Sequence, residues 1–261
     1  MTSAADNPAD WNSGWSGFRK VIVQETAGYD REHEPVEAEL KYFQAMPERT
    51  TEGLEDRVRR VVRVIHAVDG EWEIIPCQVY DIRPYHWNRQ SEQPEIMIRA
   101  RVAFFATVPA NSSEIYYLCY GNPDPPAPSY ESSLNVQGEG VSYTIENPWF
   151  RMVTDPESGQ IDTISLKYAD KPDFSFPHGN MHWNPDFMHV PEDFPTTFFK
   201  WYYAHNFVDP PHTTVSGPVF FEIVRNQLIP GQDEAWMEVK YRFYDRLQYF
   251  IMESTIEVKK P

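Results

Sequence analysis

Five of the chain's eight histidines, His178, His182, His189, His205 and His212, fall in one stretch that also holds Asp186, Glu192, Asp193, Trp183, Trp201 and Tyr202. An imidazole titrates near neutrality, so a positioned histidine can take a proton from a substrate or return one to a ring oxygen. A carboxylate beside it fixes its orientation. On that logic His182, His189 and His205 are the candidate acid/base groups and Asp186 is their orienting partner. Flat aromatic rings stack on the C–H faces of sugars. Trp183, Trp201 and Tyr202, with His178 and His212, are therefore the candidate substrate-binding residues. The chemistry described is proton transfer of the lyase or isomerase type on a carbohydrate or glycoside.

Two other readings of the same residues stay open. Histidines and carboxylates also suit zinc, manganese or iron, so a divalent metal is an alternative cofactor. The His178/His182 spacing would put both rings on one side only in a helix, and Pro177, Gly179 and Pro185 oppose a helix there. No zincin-type or two-histidine-one-carboxylate spacing occurs, so no residue is assigned as a metal ligand and no cofactor is assigned. Taken singly, each histidine is better explained as a packing residue that satisfies backbone groups in irregular chain; the five together leave the two readings even.

The elements that must position this stretch read as strands. FRKVIVQ from Phe18 and EPVEAELKYF from Glu34 alternate apolar and polar residues, the period of a half-buried strand. RVRRVVRVIHAV, from Arg57, has a spacing that a helix accommodates, but its β-branched content favours a strand. Asp69-Gly70 then makes a tight turn into EWEIIPCQVYDI. EIMIRARVAFFATV and SEIYYLCYG form a further pair joined through Pro109-Ala110-Asn111. Residues 18–120 are thus expected to form a small β-sandwich or barrel. Residues 121–131 hold four prolines in eleven positions and read as a stiff linker. Residues 132–261 open with a three-stranded meander over 140–171, with turns at Glu146-Asn147-Pro148 and Asp155-Pro156-Glu157-Ser158-Gly159. Periodicity breaks over 172–216 and returns in two long strands joined at Pro230-Gly231-Gln232-Asp233. A structureless stretch of that length is uncommon unless it serves a function or crosses the face of a sheet. Residues 1–17 form an N-terminal arm whose Trp11 and Trp15 suit docking on a neighbouring molecule.

The composition agrees with an all-β chain: 15% aromatic residues and 23 prolines in 261 residues favour short strands and rigid loops. A net charge of −16, from 39 acids against 23 bases, repels phosphate backbones and anionic lipid, so neither nucleic acid nor a membrane is expected as partner. No apolar run is long enough for a membrane helix, and the first residues carry no secretory pattern, which points to the cytoplasm. Cys77 and Cys119 alternate with apolar neighbours and read as buried free thiols.

EPVEAEL, DGEWEIIPCQVY, VAFFATVPANSSEIYYLCYGNPDPPAP and SYTIENPWFRMVTDPESGQIDTISLK resemble the front part of large carbohydrate-processing proteins. In these a small β-domain precedes a galactose-mutarotase-like β-supersandwich, as in exo-rhamnogalacturonan-lyase-like proteins. The most specific piece holds Glu146, Asn147, Phe150, Arg151, Ser158, Gly159, Ile161 and Ile164, which the resemblance places in the opening hairpin of the supersandwich. It implies the fold and a carbohydrate ligand and transfers no catalytic residue. A full supersandwich needs more chain than follows residue 131, so the second domain is expected to be incomplete. That suggests a non-catalytic subunit of a larger homo- or hetero-oligomer as the competing function.

Overall fold

The computed structural model describes residues 7–12, 14–168, 174–175, 187–189, 200–202, 208–228 and 235–258, with backbone alone at 174–175, 187–189, 200–202, Ala235 and Val258. Among these residues the regular elements are strands, apart from the helix α1 (Leu54–Val61) and a 3-10 turn at Pro8–Asp10. The chain is all-β. It divides into two compact units, Met1–Glu131 and Ser132–Pro261.

The first unit contains β1 (Gly17–Gln24), β2 (Arg31–Ala45), β3 (Arg63–Val68), β4 (Glu71–Ile75), β5 (Cys77–Trp87), β6 (Glu95–Val108) and β7 (Ser113–Tyr120). One sheet runs β1-β7-β3-β4 and the other β2-β6-β5. Every pairing is antiparallel. The pleat sends alternate residues to one face, and β6 follows it by burying Ile96, Ile98, Ala100, Val102, Phe104, Ala106 and Val108. These meet Leu40 of β2, Val64 of β3, and Tyr116 and Leu118 of β7 in one core. The β3–β4 turn has φ of 52° at Asp69 and 87° at Gly70, the paired left-handed geometry that an Asp-Gly hairpin turn requires.

One expectation fails here. The start of RVRRVVRVIHAV is helical, and the strand begins only at Arg63. Leu54, Val58 and Val61 are spaced i, i+4, i+7 and are all buried, so one helical stripe satisfies the core despite the β-branched residues. Glu55 and Asp56 in the first turn and Arg59 and Arg60 in the last complement the helix dipole. A Glu55–Arg59 ion pair at 2.7 Å adds i,i+4 support. Val62, extended at φ −94° and ψ 137°, ends the helix.

Trp11 and Trp15 of the arm and the proline-rich stretch pack on this unit's elements. Trp15 is buried with Ile65 and Cys119, and Trp11 packs beside it. The indoles thus dock on the chain itself where the sequence suggested a neighbour. Arg60 Nε donates to the Pro125 carbonyl at 2.9 Å, and Arg63 donates to the Pro126 carbonyl at 2.5 Å. Tyr130 packs against the core with its hydroxyl 3.6 Å from Cys77 Sγ. Both cysteines are free and buried. Burial raises both thiol pKa values, that of Cys119 to about 12.

A buried carboxylate ties the end of β1 to the β6–β7 turn. Glu25 accepts N–H groups of Ala27 at 2.9 Å, Gly28 at 2.8 Å and Asn111 at 3.1 Å. These amides, Asn111 first, lower its pKa to about 2. Because the folded-state value is depressed, the stabilisation is complete above the ordinary carboxylate pKa and is lost as pH falls towards 2. Glu25→Gln should flatten the acid limb of the stability–pH curve of the first unit. An unchanged acid limb in urea titrations between pH about 5 and about 2 would refute that assignment.

The second unit pairs β8 (Asn135–Glu139), β9 (Ser142–Glu146), β10 (Phe150–Thr154), β11 (Ile161–Leu166) and β12 (Phe174–Ser175) into one sheet, in the order β12-β11-β10-β9-β8. The sequence meander is the middle of this sheet. A second sheet runs through β15 (His212–Ser216), β16 (Phe220–Leu228), β17 (Ala235–Tyr244) and β18 (Phe250–Val258) in chain order, and β13 (Phe187–His189) pairs with β14 (Lys200–Tyr202). Ile145, Met152 and Ile161 from the first sheet pack on Ile223, Val239, Tyr241 and Phe243 from the second. The turn expected at Pro230-Gly231-Gln232-Asp233 lies outside the described residues.

Candidate functional site

The sequence-derived site falls largely outside the described residues: His178, His182, Trp183, Asp186 and His205 are all there. His189, Trp201 and Tyr202 belong to the β13–β14 pair, where Tyr202 stands opposite Phe187 and Trp201 opposite Met188. His212 begins β15, opposite Arg225 of β16. Its half-buried ring donates from Nδ1 to the Pro210 carbonyl at 3.0 Å, a local contact of the kind irregular chain needs.

Beside His212 the second unit holds a buried cation. Arg225 is fully buried, donates to the Ser158 carbonyl and to the Tyr241 hydroxyl (3.1 Å), and lies 5.1 Å from the centre of the Tyr241 ring. Burial lowers its pKa. Ser158 is held by Asp155, whose Oδ1 accepts the Ser158 N–H at 2.7 Å and its hydroxyl at 2.8 Å. Gly159 follows at φ 69°, where a Cβ would sit 2.7 Å from Val141 Cβ. The most specific piece of the family resemblance thus builds turns and core. Asn147 in the same piece is buried and fully hydrogen-bonded to backbone.

The described residues of the first unit form an open concavity. A cleft of about 310 Å³ is lined by Tyr42, Phe43 and Gln44 at the end of β2, Glu95 at the start of β6, Arg57 of α1, and Asn122 after β7. Antiparallel register brings them together: Ala45 pairs with Glu95, and Gly17 with Tyr120. Tyr42 donates to Gln44 Oε1 at 2.6 Å, and Gln44 Nε2 donates to the Ala45 carbonyl at 2.9 Å. This fixes the amide, and burial pushes the Tyr42 phenol pKa up. Glu95 accepts from Asn88 Nδ2 at 2.9 Å and keeps free acceptor capacity. Asn122 Oδ1 accepts the Asp124 N–H at 3.1 Å. Phe43 is 38% exposed, its ring meeting that of His86 at 80°.

A second cleft, of about 300 Å³, shares Arg57 and Pro123 with the first and continues along Asp56, Arg60, Asp124 and Pro125. The proline-rich stretch is therefore a wall of both. No signal in the sequence marked this site, because its residues are scattered over three elements and the loops between them. Among the described residues, no three His, Cys, Asp or Glu side chains gather as a metal site. No helix among them is long and apolar enough to cross a membrane.

No family model matches the sequence, and no curated protein does. Solved structures do match. A protein in glycosyl hydrolase family 38 from Enterococcus faecalis superposes with a TM-score of 0.57 at 13% identity, covering 99% of this chain and 32% of that one. An alpha-mannosidase from Enterococcus faecalis V583 gives a TM-score of 0.54 at 14% identity, covering 92% of this chain and 30% of that one. This chain thus spans about a third of the length of the first and shares its fold over that part.

Proposed function

We propose that the protein binds a carbohydrate or glycoside, and that the first-unit cleft is the binding face. The observation that carries this is the cleft's mixed lining. The Arg57 guanidinium and Asn122 amide are donors and Glu95 is an acceptor, all beside a wall held rigid by the Tyr42–Gln44 bond. Sugar hydroxyls both donate and accept, so a surface presenting fixed donors and fixed acceptors complements them. The shared fold with chains named as a glycosyl hydrolase and an alpha-mannosidase supports the same class of ligand.

Screening the full chain against immobilised oligosaccharides tests this reading. At least one should be retained, and Glu95→Gln should weaken it about tenfold, the size of one lost charged hydrogen bond, with Tm unchanged. Retention of no saccharide, or identical affinity in Glu95→Gln, would count against the cleft.

Turnover is a separate proposal that rests on the crowding of histidines. If His182, His189 or His205 moves a proton with Asp186 orienting it, His182→Ala and His205→Ala should remove activity on a retained saccharide and leave Tm nearly unmoved. Equal loss of both activity and Tm would instead mark the histidines as packing residues.

A further inference from the structure

We infer that the second unit pairs with a second copy of this chain through the free edge of β18, extending its four-stranded sheet across both copies. This goes beyond the carbohydrate reading and involves none of the cleft residues. Strand β18 ends the sheet order β15-β16-β17-β18, and no strand among the described residues pairs with its outer edge. Such an edge presents a row of backbone donors and acceptors, and folded proteins normally blunt it with proline, positive charge, a bulge or brevity. The other described edges are blunted in those ways. β2 and β5 carry Pro35 and Pro84 and shifts of register, and β1 carries Arg19 and Lys20. β4, β8 and β15 have five residues each, and β12, β13 and β14 two or three. β18 has nine residues, FIMESTIEV, paired to β17 without a break and holding no proline, lysine or arginine.

The order of residues in β18 selects the partner. A two-fold axis through a strand edge pairs the strand antiparallel with its own copy. With Ser254 on that axis all nine residues pair: Phe250 lies opposite Val258 of the second copy, Ile251 opposite Glu257, Met252 opposite Ile256 and Glu253 opposite Thr255. Moving the axis to Glu253 sets that carboxylate against its own copy, and moving it to Thr255 sets Glu253 against Glu257. Like charges directly opposite destabilise a ladder. One register therefore pairs every residue and holds the acids apart, and in it Glu253 is already ion-paired to Lys240 of β17. Phe250 and Met252 pack on the core, and the pleat puts Ile256 on the same face, 39% exposed. Met252 of the second copy comes to lie beside it. Each copy carries a charge of −16, so long-range repulsion opposes the pairing and salt screens that repulsion. One nine-residue ladder is a small contact, below the roughly 1,200 Å² of stable interfaces, so the dimer is weak and concentration-dependent.

Sedimentation velocity of the full chain from about 1 µM to about 500 µM, in about 0.05 M and about 0.5 M NaCl, tests this. A monomer–dimer equilibrium should appear at the upper concentrations, with tighter association in the higher salt. Ser254 and Thr255 are both exposed, and lysine at each should act in opposite directions. Ser254→Lys places two ammonium groups together on the axis and should weaken the dimer about tenfold or more. Thr255→Lys sets an ammonium against Glu253 of the second copy, once from each side, and should tighten the dimer about threefold. Neither should change the Tm measured at low concentration. A chain that stays monomeric throughout, a dimer indifferent to Ser254→Lys, or a dimer weakened by both lysines would overturn the proposal. Assembly beyond the dimer would overturn it too, because the two-fold pairing uses up both β18 edges.

Discussion

Asn147→Ala should destabilise the second unit by about 3–5 kcal/mol, among the largest effects of any polar substitution in the chain. Asn147 is 1% exposed, and its side chain is saturated. Nδ2 donates to the carbonyls of Tyr244 (3.0 Å) and Leu247 (2.9 Å), and Oδ1 accepts the N–H groups of Trp149 (2.9 Å) and Phe150 (3.0 Å). Alanine strips partners from four backbone groups at once, and each buried group left unsatisfied costs about 1–3 kcal/mol. Relaxation and water recover part of the total. The effect should also be directional, because Asn147 joins the β9–β10 turn of one sheet to the β17–β18 turn of the other. Hydrogen exchange should therefore accelerate at both turns before it does in β16. A loss below about 1 kcal/mol in urea unfolding would show that solvent replaces the amide there.

Trp15→Ala should cost the first unit about 3–5 kcal/mol, the range for a large aromatic removed from a core. Trp15 is 6% exposed and packs on Ile65 and Cys119. Its indole N–H donates to the carbonyl of Val61 at 3.1 Å, which is one of the unpaired carbonyls at the end of α1. Trp11 lies 4.8 Å away and the Arg63 guanidinium 5.8 Å from the indole. Trp15→Phe keeps the apolar contact and loses only the N–H, so it should cost about 1–2 kcal/mol, the value of one buried hydrogen bond. An arm that docks on a partner would give the opposite result, with Trp15→Ala leaving the Tm of the isolated chain unchanged. Calorimetry of the three proteins separates the two.

The strands were legible because alternation is a local signal. EPVEAELKYF and EIMIRARVAFFATV carry the two-residue period in their own spelling, and Asp-Gly announces the turn between β3 and β4. Helix α1 was misread for a reason that is also local. Val58, Val61 and Val62 have the branched side chains of strand residues, and that preference outweighed a charge order, acids first and arginines last, that favours a helix. The cleft could not be read at all. Tyr42, Arg57, Glu95 and Asn122 are strangers in sequence, made neighbours by the β2–β6 and β1–β7 registers and by an Arg60–Pro125 contact across 65 positions. The histidine cluster at 177–212 lies largely outside the described residues, and the described concavity arises from long-range pairing.

The thiols have a practical consequence. The chain's cysteines, Cys77 and Cys119, both sit in the first unit, buried and with pKa values raised by that burial. A thiol held protonated and out of solvent reacts with an alkylating reagent only when its surroundings open. Alkylation kinetics in the native protein therefore time the opening of Met1–Glu131 alone, while Ser132–Pro261 contributes nothing to the signal. The molecule carries its own stopwatch for one half. A ligand seated between β2, α1 and the proline wall would slow that clock in proportion to its grip.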